Sequence, residues 1–235
     1  MTHSSGIQIL PVAALPEVGP GDVLAELIAG TAHLLDGDVV VVTSKVVSKA
    51  EGRLVEVGPD EAAGRLRLAE AEAVRVLRRR GELMVAETRH GFVCAGAGVD
   101  LSNVEPGQAA LLPLDPDRSA RRIRDGLRAR AGVEVGVVVS DSFGRPWRRG
   151  VTDVALGCAG VAAVVDLRGT TDASGQVLVN TEVAGADELA AAAELVMGKA
   201  AAVPVAVVRG VDRAWLRESS VREEIVRPPR EDLFR

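Results

Sequence analysis

Two short runs of valine constrain this chain more than any other feature of its sequence. The first, Val39 to Val42, follows Gly37 and Asp38 and ends at Thr43, and the second lies within residues 133–140. Runs of β-branched residues this short, bounded by glycine or polar residues, predict strands that are buried on both faces of a sheet. We therefore expect a fold that is built around these two strands.

The rest of the chain contains both helical and strand-like patterns. Apolar residues at helical spacing predict helices over residues 22–33, 60–80, 117–131 and 188–197, with Asp22 and Asp187 as N-caps and Gly198 ending the last helix. Further strands are predicted over residues 83–86, 91–94, 161–168, 176–179 and 203–209. Loops are predicted over residues 12–21, 44–52 and 95–107. Because helices and strands do not alternate strictly, we expect an α/β or mixed α+β fold with mixed sheets in two lobes.

Composition excludes several classes of function. Lys and Arg number 28 against 33 Asp and Glu, so the net charge of −5 gives no general attraction to nucleic acid or anionic lipid. Aromatic residues are 2% of the chain, too few for platforms that stack single-stranded bases. The sequence shows neither a signal peptide nor a membrane span, and we expect a cytoplasmic protein. Cys94 and Cys158 fit no CxxC motif and are expected to be buried free thiols.

The densest group of reactive side chains follows the second valine run, over residues 140–150 (SDSFGRPWRRG). Ligands of open α/β sheets bind at the carboxyl ends of strands, which is where Asp141 and Ser142 are predicted. Their oxygen atoms suit Mg²⁺ or Mn²⁺. Arg145, Arg148 and Arg149 supply forked donors for phosphate or carboxylate groups. The alternative is a capped turn with arginines at the surface.

Two other polar segments are candidates for the same site. Asp100 lies in a glycine-rich stretch and could share metal ions with Asp141, although a lone Asp in such a loop is usually a turn residue. Residues 43–52 place hydroxyls and two lysines after the first valine run. They lack the GxxxxGK[ST] pattern of a Walker A loop, so a solvated loop is the alternative. His90 has no second histidine at a metal-ligand spacing, and a zinc site is not expected.

Six segments, in this order, resemble the coenzyme F-420:L-glutamate ligase family. They are residues 15–18 (LPEV), 43–52 (TSKVVSKAEG), 87–94 (ETRHGFVC), 98–103 (GVDLSN), 141–148 (DSFGRPWR) and 197–199 (MGK). The sequence is similar in particular to the ligase domain of an actinobacterial bifunctional enzyme, in which a flavin-binding domain follows. The resemblance implies a ligase domain over residues 1–218 and a linker or docked tail over residues 219–235. The chain would be a stand-alone form or a fragment.

The resemblance also implies a reaction. GTP, with Mg²⁺ or Mn²⁺ and with K⁺ as a further candidate ion, would phosphorylate the terminal carboxylate of the F-420 precursor. The amine of L-glutamate would then attack the acyl phosphate and form an amide. The enzyme would be an intertwined homodimer, with no nucleic-acid or membrane partner.

The resemblance assigns individual residues by matching position. Asp100 and Asp141 would bind one metal ion, and Ser142 would help to bind a second. The residues that would contact the nucleotide are Leu15, Pro16, Glu17, Val18, Ser44, Lys49, Asn103, Met197, Gly198 and Lys199. Cations at Lys45, Arg145 and Arg148 would offset the charge that develops on transfer. Glu182 is a candidate proton acceptor.

Two positions depart from the pattern of the family. Lys199 stands where archaeal relatives are expected to have a metal-binding Gln, and a protonated lysine cannot be a metal ligand. Either the second ion is held differently or Lys199 binds phosphate directly. Ser142 replaces a Thr and keeps the hydroxyl. Two other functions stay open: a metal- and nucleotide-dependent kinase of a small acid, and a non-catalytic fragment of a two-domain enzyme.

Overall fold

A five-stranded mixed sheet forms the centre of the computed structural model, which describes residues 6–233. The strands of this part of the chain are β1 Gln8–Pro11, β2 Val39–Thr43, β3 Leu54–Glu56, β4 Ala73–Arg80, β5 Leu83–Thr88, β6 Val93–Ala95, β7 Gln108–Ala110, β8 Gly136–Arg145, β9 Arg148–Ala159, β10 Val165–Asp166, β11 Glu182–Val183 and β12 Val205–Arg209. The central sheet has the order β1-β12-β2-β8-β9. The helices are α1 Leu24–Thr31, α2 Ser44–Ala50, α3 Glu61–Glu72, α4 Pro116–Ala131, α5 Gly185–Met197 and α6 Val221–Glu224.

The two valine runs form the adjacent strands β2 and β8, which pair in parallel at the centre of the sheet. All four valines of β2 are fully buried. Because side chains alternate along a strand, Val40 and Val42 belong to one hydrophobic cluster and Val39 and Val41 to the other. The prediction of strands that are buried on both faces is confirmed, and so is the mixed α/β class.

Helices cover both faces of this sheet. On one face α1, α2 and α4 pack through Ile28, Val47 and Leu127. On the other face α5 packs through Leu189 and Met197. Burying a side chain of this size stabilises the fold by roughly 1.5–3 kcal/mol. Within residues 6–233, no helix combines the length and the apolar character that crossing a membrane requires.

A smaller lobe is inserted between α2 and α4. It contains the two-stranded sheet β3-β7, the three-stranded sheet β4-β5-β6 and helix α3. Met84, Ala86 and Leu111 are buried in a hydrophobic cluster that is separate from those of the central sheet. The fold therefore has the two lobes that the sequence predicts.

Two segments differ from their predicted structure. Residues 44–52, predicted as a loop, begin with α2, because Val46 and Val47 find partners under the sheet. Tertiary packing commonly stabilises a helix this short. The helix predicted over residues 60–80 ends at Glu72, and its basic half forms strand β4 instead. The arginines at its end therefore lie in a strand and not in a last helical turn.

Other strand predictions are also partly wrong. Strands β1 and β9 were not predicted, although both pair within the central sheet. The strand predicted over residues 161–168 is reduced to β10. The strand predicted over residues 176–179 is reduced to a single bridge between Thr171 and Val177.

Two predicted helix caps are wrong. Asp22 accepts a hydrogen bond from the backbone N–H of Gly19 at 2.8 Å, and α1 begins without a side-chain cap. Asp187 lies in the first turn of α5 and accepts from the N–H of Ala155 at 2.9 Å, so it joins the helix to β9. The prediction that Gly198 ends α5 is confirmed.

The tail docks on the central domain through Asp117 of α4. This buried carboxylate accepts hydrogen bonds from the Ser220 hydroxyl at 2.9 Å and from the backbone N–H groups of Val221 and Arg222 at 2.9 and 3.1 Å. It also accepts from the N–H of Cys158 in β9 at 2.8 Å. A carboxylate with so many donors is well compensated when it is buried.

Gly157 of β9 packs directly against the start of α4. A Cβ atom at this position would lie 2.2 Å from the backbone carbonyl carbon of Pro116. We expect Gly157→Ala to lower the free energy of unfolding by roughly 1–3 kcal/mol or more, because the backbone of both elements would have to move. In Gly30→Ala the added Cβ meets nothing within 4 Å. That variant should be neutral or more stable by roughly 0.5–1 kcal/mol. Urea denaturation measures both, and equal midpoints would contradict this packing.

Candidate functional site

The segment after the second valine run forms a β-hairpin. Strand β8 continues to Arg145, and β9 begins at Arg148 after a two-residue turn. Asp141 therefore lies within a paired strand. Ser142 pairs across the hairpin with Asp153. The hairpin extends the central sheet beyond its core, so these side chains lie on paired strands.

Asp100 reaches the central sheet from the smaller lobe. Its backbone pairs with that of Ala110 through hydrogen bonds of 3.0 and 2.8 Å. The ammonium group of Lys45, in the first turn of α2, lies 2.7 Å from Asp100 Oδ2 and also donates to Ser102. Burial raises the pKa of Asp100, but the hydrogen bonds from Lys45 and Ser102 outweigh burial and hold it below its usual value. Lys45 and Asp100, which lie on separate segments of the sequence, are therefore in contact.

Asp141 lies within the electrostatic reach of the same group. Burial raises the pKa of its carboxyl to about 7. A hydrogen bond of 2.8 Å from the N–H of Ser142 and the charge of Lys45 lower this pKa, whereas the carboxylates of Asp100 and Asp153 raise it. Such mutual effects require the acids to lie near one another. Within residues 6–233, no lysine or arginine forms a salt bridge with Asp141.

A second cluster joins the hairpin to the end of α5. The Ser142 hydroxyl donates to Asp153 Oδ1 at 2.7 Å, and the Ser140 hydroxyl lies 3.3 Å from Asp153 Oδ2. The ammonium of Lys199 contacts Asp153 Oδ1 at 2.7 Å and Glu194 Oε1 at 2.9 Å, and it also donates to the Ser142 hydroxyl. Burial lowers the pKa of Lys199, but its acidic partners outweigh burial and raise it.

The sequence interpretation missed Asp153, although this residue is central to the second cluster. Only 2% of Asp153 is exposed. The available signal was an acid inside a stretch of small and apolar residues, TDVALGCA, over residues 152–159. That signal becomes useful only once the stretch is recognised as a strand, because a buried acid in a strand requires a partner.

The predicted nucleotide-binding residues fall into two groups, with Asn103 apart from both. Leu15, Pro16, Glu17 and Val18 belong to the loop after β1, and Glu17 forms an ion pair with Lys49 of α2. This pair places the loop beside the helix that carries Ser44 and Lys45. Met197, Gly198 and Lys199 lie at the end of α5, next to Asp153. Asn103 is exposed in the turn after Asp100 and has a positive φ of 54°.

The remaining candidates lie away from the carboxylates. Arg145 and Arg148 are exposed near the tip of the hairpin, and in residues 6–233 neither forms a salt bridge with Asp141 or Asp153. Glu182 is half-exposed in β11 and pairs with Arg168 at 3.3 Å. The structure therefore does not place the candidate proton acceptor in contact with the carboxylate cluster.

His90 and the two cysteines have structural surroundings. The Nε2 atom of His90 lies 3.0 Å from the carbonyl oxygen of Pro113, and its ring stacks on Phe92. Burial lowers the pKa of His90. Cys94 and Cys158 are buried and unbridged, as predicted, and burial raises the pKa of both thiols to about 12.

The oxygen atoms of the cluster suit a divalent cation. Asp100 and Asp141 supply carboxylates, and Mg²⁺ and Mn²⁺ prefer such hard ligands. Within residues 6–233, no group of three or more His, Cys, Asp or Glu side chains is arranged to hold a metal ion by itself. Further ligands would therefore come from water or from a bound phosphate, which is common for Mg²⁺. A cation would also relieve the repulsion that raises the pKa of Asp141.

Comparison with known proteins identifies a family. The family model described as F420-0:Gamma-glutamyl ligase matches residues 13–210. The chain is 42% identical to the coenzyme F420:L-glutamate ligase of Methanothermobacter thermautotrophicus, over 98% of this chain and 99% of that protein. It is 44% identical to the protein of the same name from Methanopyrus kandleri, over 97% and 98% of the two chains. The protein of that name from Archaeoglobus fulgidus is 42% identical over 97% and 96%.

The raised pKa of Asp141 predicts how stability depends on pH when divalent ions are chelated. Between the usual pKa of 3.8 and about 7, the folded protein keeps a proton that the unfolded chain has lost. The free energy of unfolding of the wild type therefore falls as the pH rises through this range, because Asp141 must ionise while it is buried. Asp141→Asn cannot ionise, so it should be more stable than the wild type at pH 8 by roughly 1–3 kcal/mol and nearly equal to it at pH 4.

Asp100→Asn provides the matched control for this prediction. Lys45 holds the pKa of Asp100 below its usual value, so loss of this carboxylate should destabilise the protein at pH 8. Denaturation in EDTA at the two pH values measures both variants. An Asp141→Asn protein that is less stable than the wild type at pH 8 would show that burial and the acidic neighbours do not raise the pKa of Asp141.

Proposed function

We propose that this chain, which belongs to the F420-0:gamma-glutamyl ligase family, joins L-glutamate to the terminal carboxylate of a coenzyme F-420 precursor. GTP activates that carboxylate as an acyl phosphate. The single observation that carries the proposal is the meeting of Asp100, Asp141 and Lys45, which come from two lobes and act electrostatically on one another.

The proposed reaction has two steps. A carboxylate oxygen of the precursor attacks the γ-phosphorus of GTP, and GDP leaves. The amine of glutamate then attacks the acyl carbon, the amide forms, and phosphate leaves while the nitrogen loses its extra protons. Both steps bring anions together, so cations must offset their repulsion. Lys45 and Lys199 are the two lysines that the structure holds against the acids of the cluster.

A divalent ion is part of the proposal. Asp100 and Asp141 would hold Mg²⁺ or Mn²⁺, which supplies charge neutralisation at the transferred phosphoryl group. What supports this assignment is the environment of Asp141, a buried carboxyl with acidic neighbours that forms no salt bridge among the described residues. Before the ion binds, Lys45 keeps Asp100 ionised and oriented.

We place the nucleotide where the loop after β1 contacts α2 through the ion pair of Glu17 with Lys49. Lys49 is largely buried, with 14% of its side chain exposed, whereas its partner Glu17 is 85% exposed. A phosphate could therefore replace Glu17 at Lys49 without burying a new charge. The end of α5, with Gly198 and Lys199, lies beside the hairpin and completes the proposed pocket.

The reaction is tested by mixing the protein with GTP, Mn²⁺, K⁺, the precursor and L-glutamate, and omitting each in turn. We expect phosphate release and a product mass that rises by one or more glutamyl units, both dependent on glutamate. Phosphorylation of the precursor without glutamate would favour a kinase of a small acid. Nucleotide binding without turnover would favour a non-catalytic fragment.

Two variants connect this reaction to the site. Asp141→Asn should lower the rate of glutamyl transfer by roughly 100-fold or more, because it removes a charge that acts on the transferred group. Asp125→Asn, on the exposed surface of α4, is the control and should keep the wild-type rate. Full activity in Asp141→Asn would reject the proposed metal site.

A homodimer is the proposed assembly, and β4 is the proposed contact. Val74, Val76 and Leu83 expose 68%, 47% and 56% of their surface on β4 and the adjoining β5. Within residues 6–233, β4 pairs only with β5, so its other edge is open. Glu87 and Glu70 pair with two of the arginines of β4, which lowers the repulsion between copies. An open apolar edge of this kind favours pairing with a second chain.

This assembly predicts that charges on β4 separate the subunits. The double variant Val74→Glu, Val76→Glu should be a monomer, because it would bury carboxylates at the contact. A second double variant, Val177→Glu with Val179→Glu, changes valines that are equally exposed, at 59% and 71%, and should remain a dimer. Sedimentation equilibrium measures the mass of each. A wild-type monomer, or dissociation of both variants, would contradict the assignment.

A further inference from the structure

The ammonium group of Lys199 has the surroundings of a bound cation. It touches three oxygen atoms, from Ser142, Asp153 and Glu194, which lie on β8, β9 and α5. An ammonium has three N–H donors and no acceptor, so these three oxygens satisfy it completely. The three oxygen atoms thus surround a cation, and that cation is the ammonium of Lys199.

Asp153 explains why a cation is needed there. Only 2% of this residue is exposed, and its two oxygens accept from the hydroxyls of Ser142 and Ser140 at 2.7 and 3.3 Å. Hydroxyl groups do not neutralise a buried charge, which is costly unless it is paired. Lys199 provides the pairing charge at 2.7 Å.

The same contact determines what Ser142 can do. Its hydroxyl hydrogen is directed at Asp153, and its oxygen accepts from Lys199. A divalent ion bound to that oxygen would lie within a few ångströms of the ammonium, and two cations so close repel each other strongly. The structure therefore does not fit a second metal ion at Ser142 while Lys199 is in place.

We propose that Lys199 is a resident cation that replaces a second divalent ion at Ser142, so that this chain binds one divalent ion, at Asp100 and Asp141. The inference rests on the proposed function for the role of that one ion. Asp153 and Glu194 are positioning residues, because they hold the ammonium in place. About half of the Lys199 side chain is exposed (52%), so the charge remains open to an incoming phosphate.

The test counts bound ions and does not depend on activity. Titration of Mn²⁺, followed by electron paramagnetic resonance with a non-hydrolysable guanine nucleotide present, should give one ion per wild-type chain. Lys199→Gln removes the charge and supplies an amide oxygen, and it should bind two ions per chain. Lys199→Arg keeps the charge and should bind one. Two ions on the wild type, or one on a folded Lys199→Gln protein, would overturn the proposal.

Stability provides a second readout, since Lys199→Gln leaves Asp153 without its charged partner. We expect the melting temperature of this variant to fall in EDTA and to recover with Mn²⁺ by more than that of the wild type. Recovery no greater than in the wild type would count against a new ion at this position. If the variant does not fold in EDTA, refolding in Mn²⁺ shows whether the ion restores it.

Asp141→Asn separates this inference from the proposed function. It should remove the one ion from the wild type and leave a single ion in the double variant Asp141→Asn, Lys199→Gln. If Asp141→Asn does not affect Mn²⁺ binding, the metal assignment of the proposed function fails. If it abolishes Mn²⁺ binding while Lys199→Gln adds no ion, only the resident-cation inference fails.

Discussion

The parallel pairing of β2 with β8 determines where the charged groups of the site lie. Two parallel strands end at the same edge of a sheet, so Thr43 is opposite Ser140, and the residues that follow them are neighbours. Lys45 follows β2 in the first turn of α2, and Asp141 is the residue after Ser140 in β8. Both strands are buried on both faces, and a slip in register would expose valines or bury polar residues. The position of the site is therefore stabilised by the core of the protein.

Charge compensation accounts for the rest of the arrangement. Asp100 is paired with Lys45, and Asp153 is paired with Lys199. Asp141 forms no salt bridge within residues 6–233, and burial, together with the charges of Asp100 and Asp153, raises the pKa of its carboxyl to about 7. The two lysines approach from different elements, α2 and the end of α5. The smaller lobe contributes Asp100, so the cluster forms only when both lobes are folded.

The sequence predicted those parts of the fold that depend on local pattern. The valine strands, the helix of residues 117–131 and the Gly198 helix end were right, because burial and capping leave a direct pattern in the residues. The long β9 was missed because its first half is exposed and has no regular alternation of apolar residues. The segment of β4 was predicted as helix because arginines favour helices, and its strand conformation depends on pairing with β5.

The sequence predicted some residues of the candidate site but not the contacts between them. The order of the polar segments identified Asp100, Asp141, Ser142 and Lys45, which the structure brings to one region. The pairing of Lys199 with Asp153 spans 46 positions of sequence and depends on the fold, so no local pattern could reveal it. The arginines at the hairpin tip, Arg145 and Arg148, are exposed, and their role stays a prediction.

The unequal pairing of the three acids has a physical consequence for ligand binding. An acid that already has a lysine partner gains less from a further cation than an acid without one, because the ammonium already offsets part of its charge. Asp141 gains most, since an added positive charge offsets both the cost of burying its carboxylate and the repulsion from Asp100 and Asp153. A cation is therefore attracted most strongly to Asp141 among the carboxylates of the cluster. Lys45 and Lys199, which pair with the other two acids, determine this preference.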